Sequence, residues 1–372
     1  MSSPEKILEL LEARRNVLLA GPPGTGKSMI LSAVAHLFEN VSNSGVPTYD
    51  PSASVPIPPP PSASLPGDIG KATNRKVFRT VLHQSSKYRD FLTGMMPDVR
   101  AGRPPGSFRI TEGVLYRASE FAKQSNSAAL LIIDEINRGP TVQVFGGAIV
   151  AMEAEKRLGG DGKPTSATQF FDLLNPTDGE LIEYAFPSRL YILAAMNQAD
   201  VSVEPLDVAF LRRWAPINLE PSTEVLRNYF GLPVSAVGSV PPIPSTAEDV
   251  FEAAVRAFDS INRRVALGRG PEFRIGHGVL IPFDGKPASV DEALEHFSIC
   301  WRQIKNHVDE AFFGDVRGTA IVLNADRGLA GNPYSLEETY FGETPRAQIT
   351  GPIVVGKSEI HNLLVALANE ER

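Results

Sequence analysis

One cysteine, Cys300, is all that the 372 residues hold. That excludes an internal disulfide and a cysteine-based metal cluster. Its setting, Phe297-Ser298-Ile299-Cys300-Trp301, reads as buried filler rather than a reactive thiol. Long apolar runs are missing too. No stretch approaches the roughly 20 residues that cross a bilayer, and Met1 to Leu11 lacks the apolar centre of a signal peptide. The expected location is the cytoplasm, with no membrane partner. Positive charge is in deficit: Lys and Arg number 36 against 43 Asp and Glu, a net charge of −7. A chain whose main task is to coat nucleic acid needs a basic field, so that class is excluded, a local basic groove apart. A hydrophobic fraction of 42% and a charged fraction of 21% are ordinary, and the length has room for two or three domains.

What is present starts early. Gly21-Pro22-Pro23-Gly24-Thr25-Gly26-Lys27-Ser28 fits G-x-x-x-x-G-K-[ST] and follows the apolar run Val17-Leu18-Leu19-Ala20. A strand ends there and a helix begins. Backbone N–H groups of such a loop converge on phosphate oxygens, and the helix N-terminus adds partial positive charge at the same spot. Lys27 is expected on the β- and γ-phosphates of a nucleotide, and Ser28 on Mg²⁺.

Elsewhere the chain alternates. Pro4 to Glu12 is amphipathic, with Ile7, Leu8 and Leu11 on one face, and Met29 to Phe38 continues the helix after the loop. From about Val41 to Lys71 the composition shifts to Pro, Ser and Gly, including Pro56-Ile57-Pro58-Pro59-Pro60-Pro61, which predicts a solvated, polyproline-biased insertion. Strands are expected at Val77–Leu82, Ala128–Ile133 and Leu190–Ala195, with helices at Gly113–Gln124 and Val142–Arg157. Near-continuous apolar strands alternating with helices predict a parallel α/β sheet. Past Pro221 the pattern turns helical, including Ala247–Val265 and Glu292–Phe313. The last stretch reads as mixed, with β-like Ala320–Leu323 and Ile353–Val355 and a helix over Ser358–Asn369.

Leu130-Leu131-Ile132-Ile133-Asp134-Glu135 sets two carboxylates at the C-terminal end of a buried strand, where open α/β sheets bind ligands. Downstream of a P-loop, Asp134 is expected to hold Mg²⁺ and Glu135 to polarise an attacking water. A further strand ends in Met196-Asn197-Gln198-Ala199-Asp200, whose Asn197 amide is suited to bond both that water and the γ-phosphate. Asp207-Val208-Ala209-Phe210-Leu211-Arg212-Arg213-Trp214 ends in paired guanidinium groups, one of which can reach a neighbouring subunit's γ-phosphate.

In this order, these four elements resemble the AAA+ ATPases, and more specifically the McrB-type motors of modification-dependent restriction. The resemblance is carried by Tyr88-Arg89-Asp90-Phe91-Leu92-Thr93-Gly94, Ile132-Ile133-Asp134-Glu135-Ile136-Asn137-Arg138, Met152-Glu153-Ala154-Glu155-Lys156-Arg157, Met196-Asn197-Gln198-Ala199-Asp200 and Ile275-Gly276-His277, and it covers roughly Val17 to Gly314. It implies an α/β fold: a P-loop NTPase αβα core with a parallel sheet over 1–220, carrying the insertion at about 41–75. A helical lid over 221–317 and a small mixed C-terminal extension over 318–372 follow. It also implies a homo-oligomeric ring, usually hexameric, binding ATP or GTP with Mg²⁺ at each interface, and Arg212 or Arg213 acting in trans. A nuclease-bearing partner subunit would be driven by the motor, and DNA contact would come through that assembly. Arg274 and His277 fall where the lid touches the nucleotide of its own subunit or packs as a turn, and Tyr88 and Phe91 are core or interface aromatics or pore-facing grips.

Three departures stand beside this. Relatives that read modified DNA carry a recognition domain ahead of the motor, whereas the P-loop here starts at Gly21, so site choice by that route is not expected. The usual Ser after Asp is displaced, Val201 intervening between Asp200 and Ser202. No residue settles the base, and ATP is the default. A MoxR-type chaperone ATPase that remodels a client protein shares the core motifs, while the Met-Asn-x-Ala-Asp and Ile-Gly-His phrases favour the McrB type. A nucleotide-gated module without turnover is the third reading, against which Lys27, Asp134, Glu135, Asn197 and Arg212 speak.

Overall fold

The computed structural model describes residues 3–39, 65–102, 104–199, 206–235 and 238–368. Most of the Pro/Ser-rich insertion, and Asp200, Val201 and Ser202, lie outside them. The described residues fall into two units, one of 3–21, 27–39 and residues from 65 through 219, the other of 22–26 and residues from 220 through 368.

The first unit is built on five parallel strands: β1 Asn16–Gly21, β2 Asn74–Val81, β3 Ser127–Asp134, β4 Leu190–Asn197 and β5 Ala215–Asn218, in the order β2-β3-β4-β1-β5. The interior strands β1 and β3 are buried almost throughout, as their unbroken apolar sequences require, while the edge strand β2 alternates exposed and half-buried residues. Two cores form on the sheet. One gathers Ile7, Leu11, Ile30, Val34 and Phe38 from helices Pro4–Arg14 and Lys27–Glu39. The other gathers Leu115, Ala118, Phe145 and Phe210. Register carries the consequence for the site: Gly21 is opposite Asn197, and Ile133 is opposite Ala194, so the ends of β1, β3 and β4 come out at one edge.

Val142–Arg157 is not the single helix its pattern predicts. It breaks into Thr141–Phe145, Ala148–Ala151 and a 3-10 turn Ala154–Lys156, because Gly146 takes a left-handed φ of 49° with its Cα close against the Tyr88 ring. Phe91 is core, packed on Phe145 at 5.5 Å, and the Tyr88 hydroxyl donates to Asp172 O at 3.3 Å.

In the second unit, helices Ala247–Gly268, Val290–Ala311 and Ile360–Ala368 share one core, within which Phe230 stacks on Phe251 at 4.6 Å. The first of these helices opens on a capping box between Thr246 and Asp249. Ala320–Leu323, read as β-like, is instead part of a helix Val316–Val322, and Ile353–Val355 forms no strand. Short apolar runs do not separate the two states by periodicity. A hairpin, Ser335–Phe341 paired antiparallel with Thr344–Thr350, was not foreseen. Arg264 donates to Val322 O and Leu367 O, so the expected lid and the expected C-terminal extension are joined in one packed body. Cys300 is buried, and burial pushes its thiol up to about 12, consistent with filler. Among the described residues, no helix is long and apolar enough to cross a membrane.

Candidate functional site

Three strand ends in the first unit supply the chemistry. From β1 and the helix behind it come Gly21, Lys27 and Ser28. Lys27 is buried and its Nζ donates to Gly21 O at 2.9 Å. Burial pushes its pKa down from 10.5 to about 8, opposed by the nearby carboxylates of Glu135 and Asp134. From β3 come Asp134 and Glu135. Glu135 sits in the left-handed region, φ 51° and ψ 47°, a costly conformation for a residue with a Cβ and one that clusters at functional sites. Its N–H donates to Asp134 Oδ1 at 3.0 Å, which helps hold the turn. From β4 comes Asn197, whose Nδ2 donates to Glu135 Oε1 at 2.7 Å.

Arg138 reaches back three residues to Glu135 Oε2 at 3.3 Å, and Asn137 Nδ2 donates to Asn197 O at 3.0 Å. Asn137 thus ties the turn after β3 to the end of β4, while Arg138 closes back within that turn. Both residues belong to the phrase Ile132–Arg138 that carries the resemblance, but the sequence assigns no role to either, and the burial of Asn137 has no sequence signal. Ser28 and Asp134 line one recess with Thr80 and Val81. A hydroxyl and a carboxylate are hard oxygen donors that suit Mg²⁺, which takes few protein ligands and completes its shell with phosphate and water. No cluster of three or more His, Cys, Asp or Glu able to cage a metal occurs among the described residues.

The paired arginines differ. Arg213 is committed: its Nε is ion-paired to Glu153 Oε1 at 2.9 Å and its Nη1 donates to Ala209 O. Arg212 is exposed and lines a surface recess with Arg14, Glu153 and Glu155. The turn carrying both leads into the start of β5, where Ala215 is opposite Val17. That is the opposite edge of the sheet from Gly21, Asp134 and Asn197. Four residue steps along β1 lead from Val17 to Gly21, about 13 Å of rise.

Within the second unit, the loop residues 22–26 meet the turn Ile275–His277. Gly276 N donates to Pro23 O at 3.0 Å and Gly278 N to Gly24 O at 2.9 Å. A Cβ at Gly276 would lie 2.1 Å from Gly24 C, so only glycine fits. Asn262 holds this turn, exchanging bonds with Ile275 N at 2.6 Å and Ile275 O at 3.0 Å. Gly24 and Gly26 adopt φ of 76° and 86°, and Thr25 Oγ1 closes the loop onto Pro22 O at 2.9 Å. His277 is 2% exposed, its Nδ1 accepts from Ser222 N at 3.4 Å, and burial pushes its pKa down to about 4. It packs within this turn, and its burial disfavours the charged form. Arg274 bonds Pro271 O and pairs with Glu220 at 3.5 Å.

The chain is similar to known proteins over part of its length. Residues 65–214 match the AAA domain of the dynein-related subfamily. The chain is 29% identical over 283 residues, 73% of its length and 49% of the other's, to the type IV methyl-directed restriction enzyme EcoKMcrB subunit of Escherichia coli K12. It is 31% identical over 211 residues, 54% of its length and 56% of the other's, to the type II restriction enzyme BsuMI component YdiS of Bacillus subtilis 168. The chain thus spans about half the length of the curated relatives it matches. Among solved structures, C. elegans PCH-2 overlaps 97% of this chain and 65% of its own at 11% identity with a TM-score of 0.29, too slight to add to the fold assignment. With an AAA-domain match over residues 65–214 and the phosphate-loop lysine, acidic strand end and polar amide on adjoining strands, the chain resembles the AAA+ ATPases and, among them, the McrB-type subunits of restriction systems.

Proposed function

We propose that the chain is a Mg²⁺-dependent nucleoside triphosphatase, ATP being the first candidate fuel and GTP the second. It works in the cytoplasm as a homo-oligomeric, hexameric ring that drives a nuclease-type partner in DNA restriction or antiphage defence. The observation that carries the enzymatic part is the convergence of Lys27, Asp134, Glu135 and Asn197 at adjacent strand ends. Ser28 and Asp134 would hold the metal, which when bound would supply positive charge to offset that of the phosphates. Lys27 adds fixed positive charge on the β- and γ-phosphates. Glu135, oriented by Asn197 and Arg138, accepts a proton from the attacking water. The opposite placement and exposure of Arg212 support its reaching a neighbour's γ-phosphate rather than its own subunit's, so each active site is completed by the next subunit. The partner rests on the two restriction-system relatives.

Two consequences are measurable in the nucleotide-binding step. Gly276→Ala forces backbone against backbone at Pro23 and Gly24, so nucleotide affinity, read with a fluorescent analogue, drops about tenfold or more, as misplacement of binding groups commonly costs. Unchanged affinity would show that the turn does not shape the loop. The second consequence concerns pH. Below about 8 the Lys27 amine of the free protein is already charged, and above it the amine is neutral, whereas a bound polyphosphate favours the charged form. Binding above pH 8 therefore takes up a proton, and affinity weakens with rising pH, by about tenfold per unit at the steepest. Titration calorimetry at pH 9 in buffers of different ionisation enthalpy reads the uptake, and Lys27→Ala abolishes it. No uptake in the wild type would contradict the assignment of Lys27 to the phosphates.

The function itself is tested by phosphate release from ATP and from GTP, with and without Mg²⁺, followed by capture of partners on the Glu135→Gln protein from its own cells. A nuclease subunit retained by one nucleotide supports restriction or defence. A remodelled client enzyme in its place would overturn that assignment in favour of a chaperone ATPase.

A further inference from the structure

Arg157 is a fully buried guanidinium in the first unit, and among the described residues its hydrogen bonds go to carbonyls and an amide rather than to a carboxylate. Its Nε donates to Met152 O at 3.0 Å, its Nη2 to Met152 O at 2.9 Å and to Asn16 Oδ1 at 2.6 Å, and its Nη1 to Leu190 O. Burying an unpaired charge is costly, and burial, aided by the charge of Arg15, pushes this group down to about 9. An apolar residue of similar length would fill the space without that cost, so the donor fork itself is the feature to explain.

What the fork holds is a junction of three elements. Asn16 opens β1 and Leu190 opens β4, the strands whose far ends carry Gly21 and Asn197. Asn16, fixed through its Oδ1, turns its Nδ2 onto Met152 O at 2.8 Å and Arg213 O at 3.1 Å. The residue after Met152 is Glu153, which takes the Arg213 side chain at 2.9 Å. Arg213 is therefore gripped at its carbonyl through Asn16 and at its guanidinium through Glu153, and both grips lead back to the segment that Arg157 bonds. Arg212, the adjacent residue, is left exposed with its backbone fixed.

We infer that Arg157, acting through Asn16, is a positioning residue for Arg212: it sets the turn from which that arginine is offered to the neighbouring subunit. The inference rests on the in-trans role proposed above. It makes Arg157 a residue whose loss harms the next subunit's active site and leaves its own intact, since none of its bonds reaches Lys27, Asp134, Glu135 or Asn197.

The test uses assembled full-length protein. Arg157→Met alone lowers turnover at least tenfold, with the KM for nucleotide changed less than about twofold. Mixed one to one with Glu135→Gln subunits, which keep an intact Arg212, it recovers activity toward the level set by the roughly one quarter of interfaces that pair an intact Glu135 with an intact donor turn in a randomly mixed ring. A defect in Arg157's own fold or site cannot be rescued this way, so a mixture no more active than its parts overturns the inference. An Arg212→Ala and Glu135→Gln mixture run alongside separates the two claims. Recovery there but not with Arg157→Met refutes only the positioning role, and recovery in neither refutes the in-trans reading with it. Asn16→Ala, which removes the link to Arg213 O and leaves the guanidinium on its carbonyls, shows the same rescuable loss at smaller size. It decides the matter if Arg157→Met does not fold, and a wild-type rate for folded Asn16→Ala would also overturn the inference.

Discussion

Arg212→Ala abolishes turnover almost entirely, by about 10³- to 10⁵-fold, the range measured where a neighbouring arginine stabilises phosphoryl transfer. Nucleotide affinity and thermal stability stay near those of the wild type. The expectation follows from exposure and distance. The Arg212 side chain is exposed, so truncating it costs little folding energy. Its turn sits at the edge of the sheet opposite Gly21 and Asn197, so it contributes nothing to ground-state binding in its own subunit. Arg213→Ala is the contrasting variant. It breaks the ion pair with Glu153, leaves a partly buried carboxylate unpaired, and lowers stability along with activity. Steady-state kinetics and thermal melts on both variants read the difference. A loss of nucleotide binding in Arg212→Ala would mean that the arginine works in its own subunit.

Glu135→Gln removes the proposed proton acceptor and keeps the shape. Turnover falls by about 10²- to 10⁴-fold, the usual contribution of a positioned general base. The amide oxygen can still accept from Asn197 Nδ2, so the left-handed turn survives, while the ion pair to Arg138 is lost. Binding does not require the acceptor, so nucleotide raises the melting temperature of this variant at least as much as that of the wild type. Phosphate release together with melts at saturating nucleotide is the measurement. Turnover at the wild-type level would remove Glu135 from the mechanism.

The elements that carry these predictions were the legible ones. A strand covered on both faces has to be apolar throughout, and β1 and β3 announce themselves for that reason, with the glycine loop and the acidic pair marking where each one ends. The burial of Arg157, a residue of the phrase Met152–Arg157, was hidden for the converse reason. A charged residue at the end of a predicted helix reads as solvent-facing, and its burial follows only from the break at Gly146 and the fold of Met152 against Asn16. The hairpin Ser335–Thr350 is exposed along most of its length, so no apolar alternation marks it. Splitting Arg212 from Arg213 likewise needed the position of Glu153, sixty residues earlier in the chain.

The central claim is an active site shared between subunits, and one measurement addresses it directly: phosphate release from a titrated mixture of Arg212→Ala and Glu135→Gln proteins, each inactive by itself. Each mixed interface that sets an Arg212→Ala subunit's intact Glu135 beside a Glu135→Gln subunit's intact arginine is complete, so activity rises to a maximum near equal proportions, at about a quarter of the wild-type rate for random assembly. A mixture that stays as inactive as its components at every ratio, with assembly intact, contradicts the account.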